Sequence, residues 1–209
     1  MGLGTHGELE KALVIYQDAE EKLEALGINA DNPAYTEQQR VLSYCLMRQG
    51  NLLRQMEKPQ EAYELGEREI IAARASGDEI TLGRSLMSNG TNYILIGEIE
   101  RGLKLIEEAR VLFERGDSYD HKQGLGWYWI LQADLANAGL IEREPDELIE
   151  IITRALDILK PIENWPVVAR AYATRAKAHE RLGNKEEAVK DRQEQMIYES
   201  KVKPGEEPD

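Results

Sequence analysis

The sequence predicts an all-α fold, a stack of antiparallel helix pairs, on three observations. Apolar residues recur at spacings of three and four along most of the chain, as amphipathic helices require. Ala, Leu, Ile, Glu, Arg and Lys dominate, the alternating Val/Thr/Phe-rich segments of strands are absent, and Phe occurs once. A pattern of small and aromatic residues also returns several times at long intervals.

The first helix is expected near residues 8–26, where Leu9, Leu13, Tyr16, Ala19, Leu23 and Leu26 form one apolar stripe between charged residues. Gly27 stops it, and Asn32-Pro33 leads into a second helix near 35–56. Lys58-Pro59 opens a third near 59–75, and Ser76-Gly77-Asp78 separates it from a fourth near 79–96. Gly97 precedes a fifth near 98–115, and Arg115-Gly116-Asp117 divides that from a sixth near 121–139. Pro145, Trp165-Pro166 and Gly183-Asn184 mark the starts of the last three, near 146–160, 166–182 and 185–201. Long and very short connections alternate, as tight helix hairpins require. The expected organisation is one helical domain over residues 1–202 with a mobile tail at 203–209, rich in Pro and Glu.

Charge and cysteine content exclude several functions. A formal charge of -13 opposes binding to phosphate backbones and to anionic membrane surfaces. No apolar run approaches the roughly 18 residues of a membrane span, and no signal-peptide core follows Met1. Cys45 is the only cysteine, so intrachain disulfides and Cys-rich zinc sites are impossible. A cytoplasmic setting fits this usage.

The recurring pattern is clearest in Gly90-x2-Tyr93-x3-Gly97-x4-Gly102-x3-Ile106-x2-Ala109. It superposes on Gly50-x2-Leu53-x8-Ala62-x3-Gly66 and on Ala176-x2-His179-x3-Gly183-x4-Ala188-x3-Arg192, and its second half on Gly7-x4-Ala12-x3-Tyr16-x2-Ala19. A looser copy has Trp129 and Ala133 on one helix and Leu148, Ile152 and Ala155 on the next. Small residues at Gly50, Gly90 or Ala176 would face Ala62, Gly102 or Ala188, so that two helix axes approach closely.

These motifs resemble the tetratricopeptide repeat (TPR), over nearly the whole chain. The resemblance implies a right-handed α-solenoid of antiparallel helix pairs, each with a helix A and a helix B. The second-helix anchors Ala12, Ala62, Gly102, Leu148 and Ala188 lie 50, 40, 46 and 40 residues apart, against about 34 for the usual repeat. The helices are therefore expected to be long, as in the sensor arrays of bacterial signal-transduction ATPases and the Leu-Gly-Asn-repeat scaffolds. A period near 40 also overlaps HEAT and armadillo repeats, but the Gly/Tyr/Gly/Ala spacing favours the tetratricopeptide reading. The element near 8–26 reads as a helix B with no helix A before it. An open solenoid end of this kind calls for a cap, further repeats or a second copy, so a homodimer through the N-terminal end is one expectation.

The resemblance implies a scaffold that holds a protein or peptide in a groove lined by helix A residues, with no enzymatic activity and no cofactor. The positions carried over are Tyr44, Met47, Asn51, Arg54 and Gln55, then Arg84, Met87 and Thr91. Trp127, Ile130, Asp134 and Asn137 follow, and then Arg170, Ala173, Lys177 and Arg181. The set is basic in an acidic chain, and Arg forks match carboxylates, so an acidic peptide is one expected partner. Pairing of these Arg side chains with neighbouring residues is the alternative. The chaperone carboxylate clamp does not fit: only Asn51 matches it, against Ser88, Trp127 and Leu131. Long-helix sensor arrays imply a second expectation, a ligand-sensing region of a signalling or transcriptional regulator.

Other constellations carry less. His6, His121 and His179 have no second His or Cys at ligand spacing, and His179 falls at a packing position of the repeat. Cys45 has no adjacent basic residue and is expected to be inert. Asp18, Glu20, Glu21 and Glu24 read as a solvated face. Within Trp127-Tyr128-Trp129, successive residues point about 100° apart, which puts Trp129 towards the core and Trp127 towards the groove, where it is the hot-spot candidate.

Overall fold

The computed structural model describes residues 6–202. Its helices are α1 (His6–Ala25), α2 (Tyr35–Gln55), α3 (Pro59–Ser76), α4 (Glu79–Leu95), α5 (Ile99–Phe113), α6 (Tyr119–Asn137), α7 (Pro145–Leu159), α8 (Trp165–Arg181) and α9 (Lys185–Glu199). Each expected helix is present with its ends displaced by no more than two residues, and the described residues contain no strand. The expected tail at 203–209 lies outside the described residues. No helix among the described residues is long and apolar enough to cross a membrane.

Local chemistry sets the boundaries. Asp78 accepts from the Thr81 backbone N–H at 3.0 Å, which satisfies one of the orphan donors at the start of α4. Ser118 and Asn164 cap α6 and α8 in the same way. Pro59, Pro145 and Pro166 occupy first-turn positions, where the missing N–H costs nothing. The chain leaves α3 at Gly77 with φ 70°, a conformation that side chains disfavour. After α2 the same kind of turn falls on Glu57, at φ 60°.

The described residues fall into two compact units, one ending at Leu112 and the other beginning at Phe113. In the first, α1 packs on α2, α2 on α3, and α3 on α4, while α2 and α4 touch directly. Leu46, Leu53, Ala62, Ala73, Leu86 and Ile106 are its fully or nearly fully buried core. In the second, α6, α7, α8 and α9 pack in series and α6 touches α8. Here Ile130, Leu148, Ile152, Leu159, Val168 and Ala171 form the core, with Trp127, Trp129 and Trp165 packed against it. Contacts between first helices of successive pairs, as well as within a pair, are what a stacked helix-pair repeat produces.

The small-residue expectation holds at one crossing and fails at another. A Cβ on Gly90 would stand 2.5 Å from Ile106 Cγ1 and 2.7 Å from the Gly102 carbonyl oxygen, so α4 and α5 touch through backbone. A Cβ on Gly50 would meet nothing closer than Arg54 Nη1 at 3.9 Å, so α2 and α3 do not approach there although Ala62 is buried. The tight contact on α3 is at Gly66, where a Cβ would collide with the Asn89 side-chain oxygen of α4.

Candidate functional site

In the first unit, the adjacency of α2 and α4 makes a cleft of about 310 Å³. Arg40, Val41, Ser43, Tyr44 and Met47 line it from α2, and Thr81 and Arg84 from α4. Three expected groove residues, Tyr44, Met47 and Arg84, thus come together. Tyr44 remains 40% exposed and meets the Tyr16 ring edge-to-face at 6.5 Å, with the Arg48 guanidinium 5.8 Å from its centroid. Arg40 grips Glu37 through Nε at 2.8 Å and Nη2 at 2.6 Å, and these bonds hold the Glu37 carboxyl below its usual range. Arg40 is a cleft residue that the repeat resemblance did not select.

About two turns along the helices, Arg54 belongs to the protein's own bonding. Its guanidinium donates to Asn92 Oδ1 at 2.5 Å and to Asn51 Oδ1, and Asn92 Nδ2 donates to the Ala62 carbonyl at 3.1 Å. Burial draws the Arg54 pKa down, opposed by the Glu69 charge. Met87 and Thr91 are half-buried on α4, and Thr91 Oγ1 donates back to the Met87 carbonyl at 2.9 Å.

A polar layer lies beneath this face. Glu69 of α3 is 1% exposed; its Oε2 accepts from Asn89 Nδ2 at 3.0 Å and from Ser88 Oγ at 3.4 Å, while Oε1 has no hydrogen-bond partner. Burial pushes its pKa up to about 8, against the pull of Arg54 and of the hydroxyl and amide groups of α4. Ser85 Oγ sits 2.9 Å from Ser43 Oγ, so the layer reaches the cleft lining. The periodicity carried a signal for it: residue 69 shares the helical face of Ala62, Gly66, Ile70 and Ala73.

Glu20 corrects the expected solvated acidic face of α1. It is 9% exposed and accepts from Gln49 Nε2 and from Arg68 Nη2, each at 2.5 Å, while Glu24 takes Arg68 at 2.7 Å. The Glu20 carboxylate thus lies between Gln49 of α2 and Arg68 of α3. Burial pushes the neighbouring Cys45 thiol pKa up, with a smaller contribution from Glu20, which disfavours its reactive thiolate form.

In the second unit, α6 and α8 present the remaining expected residues. Arg170 donates to Asp134 Oδ2 through Nε at 3.2 Å and Nη2 at 2.7 Å, and lies 5.0 Å from the Trp127 ring centroid. Thr174 Oγ1 completes the set on Asp134 Oδ1 at 2.9 Å. Arg181 reaches the Ala136 carbonyl and Asn137 Oδ1 at 3.4 and 3.3 Å, whereas Lys177 is exposed. Ile130 is fully buried, so it is a core residue and not a groove residue.

Of the aromatic trio, Tyr128 is the buried ring at 6% exposure. Trp129 is half-buried, edge-on to Tyr128 at 4.7 Å and 5.8 Å from the Arg154 guanidinium. The expected core position of Trp129 is therefore only partly realised. His179 is an inter-helix histidine: its Nε2 is 3.7 Å from the Asp191 carboxylate that Arg175 grips at 2.9 and 2.7 Å. The described residues hold no cluster of three or more His, Cys, Asp or Glu side chains placed to bind a metal.

This architecture is a TPR-like, all-α repeat solenoid. No protein-family profile and no curated protein sequence matches the chain. Among solved structures it is similar to BtubC (BKLC) of P. vanneervenii, with a TM-score of 0.64 and 15% identity over 97% of this chain and 77% of that one. It is also similar to a kinesin light chain-like protein of Podosopora anserina with nearly identical TPR-like repeats. For the Q17M form of that protein the TM-score is 0.52 at 14% identity, over 94% of this chain and 93% of that one. A second structure of it gives 0.50 at 14% identity with the same coverage. At such identities the likeness is one of fold.

Proposed function

We propose that the chain is a protein-interaction scaffold that holds a peptide or protein segment on its helix A faces and catalyses no reaction. The observation that carries this reading is the α2–α4 face, where exposed Tyr44 and half-buried Met47 and Arg84 line an open cleft. Aromatic, Met and Arg side chains at such a surface supply adaptable contact and directed hydrogen bonds. The α6–α8 face adds Trp127 and the cation Lys177. An acidic segment is the favoured partner, in a cytoplasmic setting, and helices of 15 to 21 residues support a long-helix form of the repeat.

Arg54 and Arg170 are fixed by bonds to Asn51, Asn92 and Asp134, so the test falls on other positions. Arg84→Glu and Lys177→Glu, with Met47→Ala, should each weaken binding to an acidic peptide selected from a display library while the helical circular-dichroism signal is kept. Binding that is indifferent to all three would remove the helix A faces from the function. Val14 and Ile15 are exposed on α1, the side on which a homodimer would form; light scattering that stays monomeric at high concentration removes that option.

A second reading, ligand sensing, is favoured by the cleft itself, whose 310 Å³ lies within the range of small-molecule sites. Saturable binding of any small molecule there, mapped by amide chemical shifts, is its test.

A further inference from the structure

We infer that α1 is exchanged between two copies of the chain, each copy's α1 packing on the α2–α3 face of the other. This gives a form to the homodimer on the α1 side and rests on that option. The way α1 is held is the first ground. Of its 20 residues only Glu20 is buried, whereas α7, with 15, buries Leu148, Ile151, Ile152, Ala155, Leu156 and Leu159. The apolar stripe of α1 is at most half-buried, so hydrophobic burial holds this helix weakly.

Polar bonds set its register instead. Glu20 accepts from Gln49 Nε2 and Arg68 Nη2, each at 2.5 Å, and Glu24 accepts from Arg68 Nη2 at 2.7 Å. Gln38 Nε2 donates to the Leu23 carbonyl at 2.5 Å, and Gln49 Nε2 to that of Tyr16 at 3.5 Å. The donors thus come from α2 and α3, and α1 brings the acceptors, two of them carboxylates one turn apart. The α1 of a second copy meets the same donors at the same positions, as an exchanged element does by construction. A foreign helix would need the same two acids in the same register.

The connection is the second ground. Residues 26–34 join α1 to α2, nine residues against three at 56–58, two at 77–78 and three at 96–98. Extended, nine residues reach about 30 Å, some three times the roughly 8–10 Å between packed helix axes. Eight of the nine are exposed and Ile28 is half-buried. Their bonds are local: Gly27 N–H donates to the Glu24 carbonyl at 3.1 Å and Asn32 N–H to that of Asn29 at 3.0 Å. Straightening the connection therefore gives up little packing. Val14 and Ile15, 60% and 66% exposed on α1, are apolar surface that two copies can cover and one leaves in water. A flexible connection holds α1 at an effective concentration of about millimolar, so exchange shows at high protein concentration or when the closed form is weakened.

The experiment pairs two full-length variants of opposite charge, Arg68→Glu and the double change Glu20→Lys with Glu24→Lys. Each alone sets like charges against one another, in the closed chain and in its own dimer. In an equal mixture, each α1 meets a body of opposite charge only by exchange. Light scattering should show the mixture dimerising at a protein concentration at least ~10-fold below that needed by either variant alone. A second measurement uses the wild-type chain at about 1 mM, above which exchange competes with closure, with labelled and unlabelled copies mixed. Magnetisation transfer should then join the Tyr16 ring of one copy to the Tyr44 ring of the other, rings whose centroids lie 6.5 Å apart. That reading is independent of how the variants fold. Equal dimerisation of the variants alone and mixed, with no Tyr16–Tyr44 transfer between copies, overturns exchange and leaves a dimer through the outer face of α1. Monomers in every sample up to about 1 mM overturn both.

Discussion

Replacing Glu69 by Gln isolates the energetic consequence of a carboxyl group buried in the α2–α3–α4 layer. Glu69 is 1% exposed and its pKa is pushed up to about 8 from 4.5. Because the folded pKa lies above the unfolded one, the unfolded chain gives up this proton first as pH rises. The native state then binds more protons than the unfolded state, and stability falls through the window from about 4.5 to about 8 and levels off above it. At 1.36 kcal/mol per unit, the group's contribution falls by about 4 kcal/mol between pH 5 and pH 9, more than half of it by pH 7. Glu69→Gln keeps the shape and the amide cannot ionise, so its own stability lacks this term. Urea denaturation of both proteins at pH 5, 7 and 9 measures the difference, which cancels every other titrating group. The Gln variant should gain on the wild type by about 4 kcal/mol across the series. A gap that changes by less than about 0.5 kcal/mol would show that Glu69 is solvated or compensated in the folded state, and the reasoning would fail.

Three further outcomes follow from packing and backbone geometry. Gly90→Ala should cost about 1–3 kcal/mol in chemical denaturation, because its Cβ meets Ile106 and the Gly102 carbonyl; Gly50→Ala should be neutral or stabilising by up to about 1 kcal/mol, and equal effects would refute the contrast. Glu57→Gly should raise stability by about 1 kcal/mol, because Glu57 holds φ 60° at the turn after α2; a loss on substitution would mean that its side chain matters more than the backbone. Asp191→Ala should cost about 3–5 kcal/mol, since Arg175 would be left without the buried carboxylate it grips at two points; a cost under ~1 kcal/mol would mark that pair as dispensable.

Repeat spacing and punctuation made the fold legible, because a helix boundary is a local event. Lys58-Pro59, Gly77 and Gly183 act on the few backbone groups around them, and the ends of α3, α8 and α9 fall within two residues of where those signals stand. Three of the residues picked out by position on helix A, Tyr44, Met47 and Arg84, do meet across α2 and α4. What each side chain does there was not legible. Arg54 and Arg170 read in sequence as groove cations, yet Arg54 is tied to Asn51 and Asn92, and Arg170 to Asp134 and Trp127. Those partners lie between 3 and 43 residues away along the chain, most of them on a neighbouring helix, where only packing can place them.

By itself the sequence determined that the described residues are helical, how many helices they form, and that small residues recur at regular spacing along them. Helix propensity, capping and amphipathic period are short-range properties, and nearby residues set them. Only the tertiary structure decided that Gly90 sits at a tight crossing and Gly50 does not, that Glu20 and Glu69 are buried, and that Arg40 joins the cleft. Burial and ion pairing depend on the distance between helices far apart in sequence. Whether a glutamate is solvated or buried follows from which helix comes to cover it, and its own stretch of sequence does not state that.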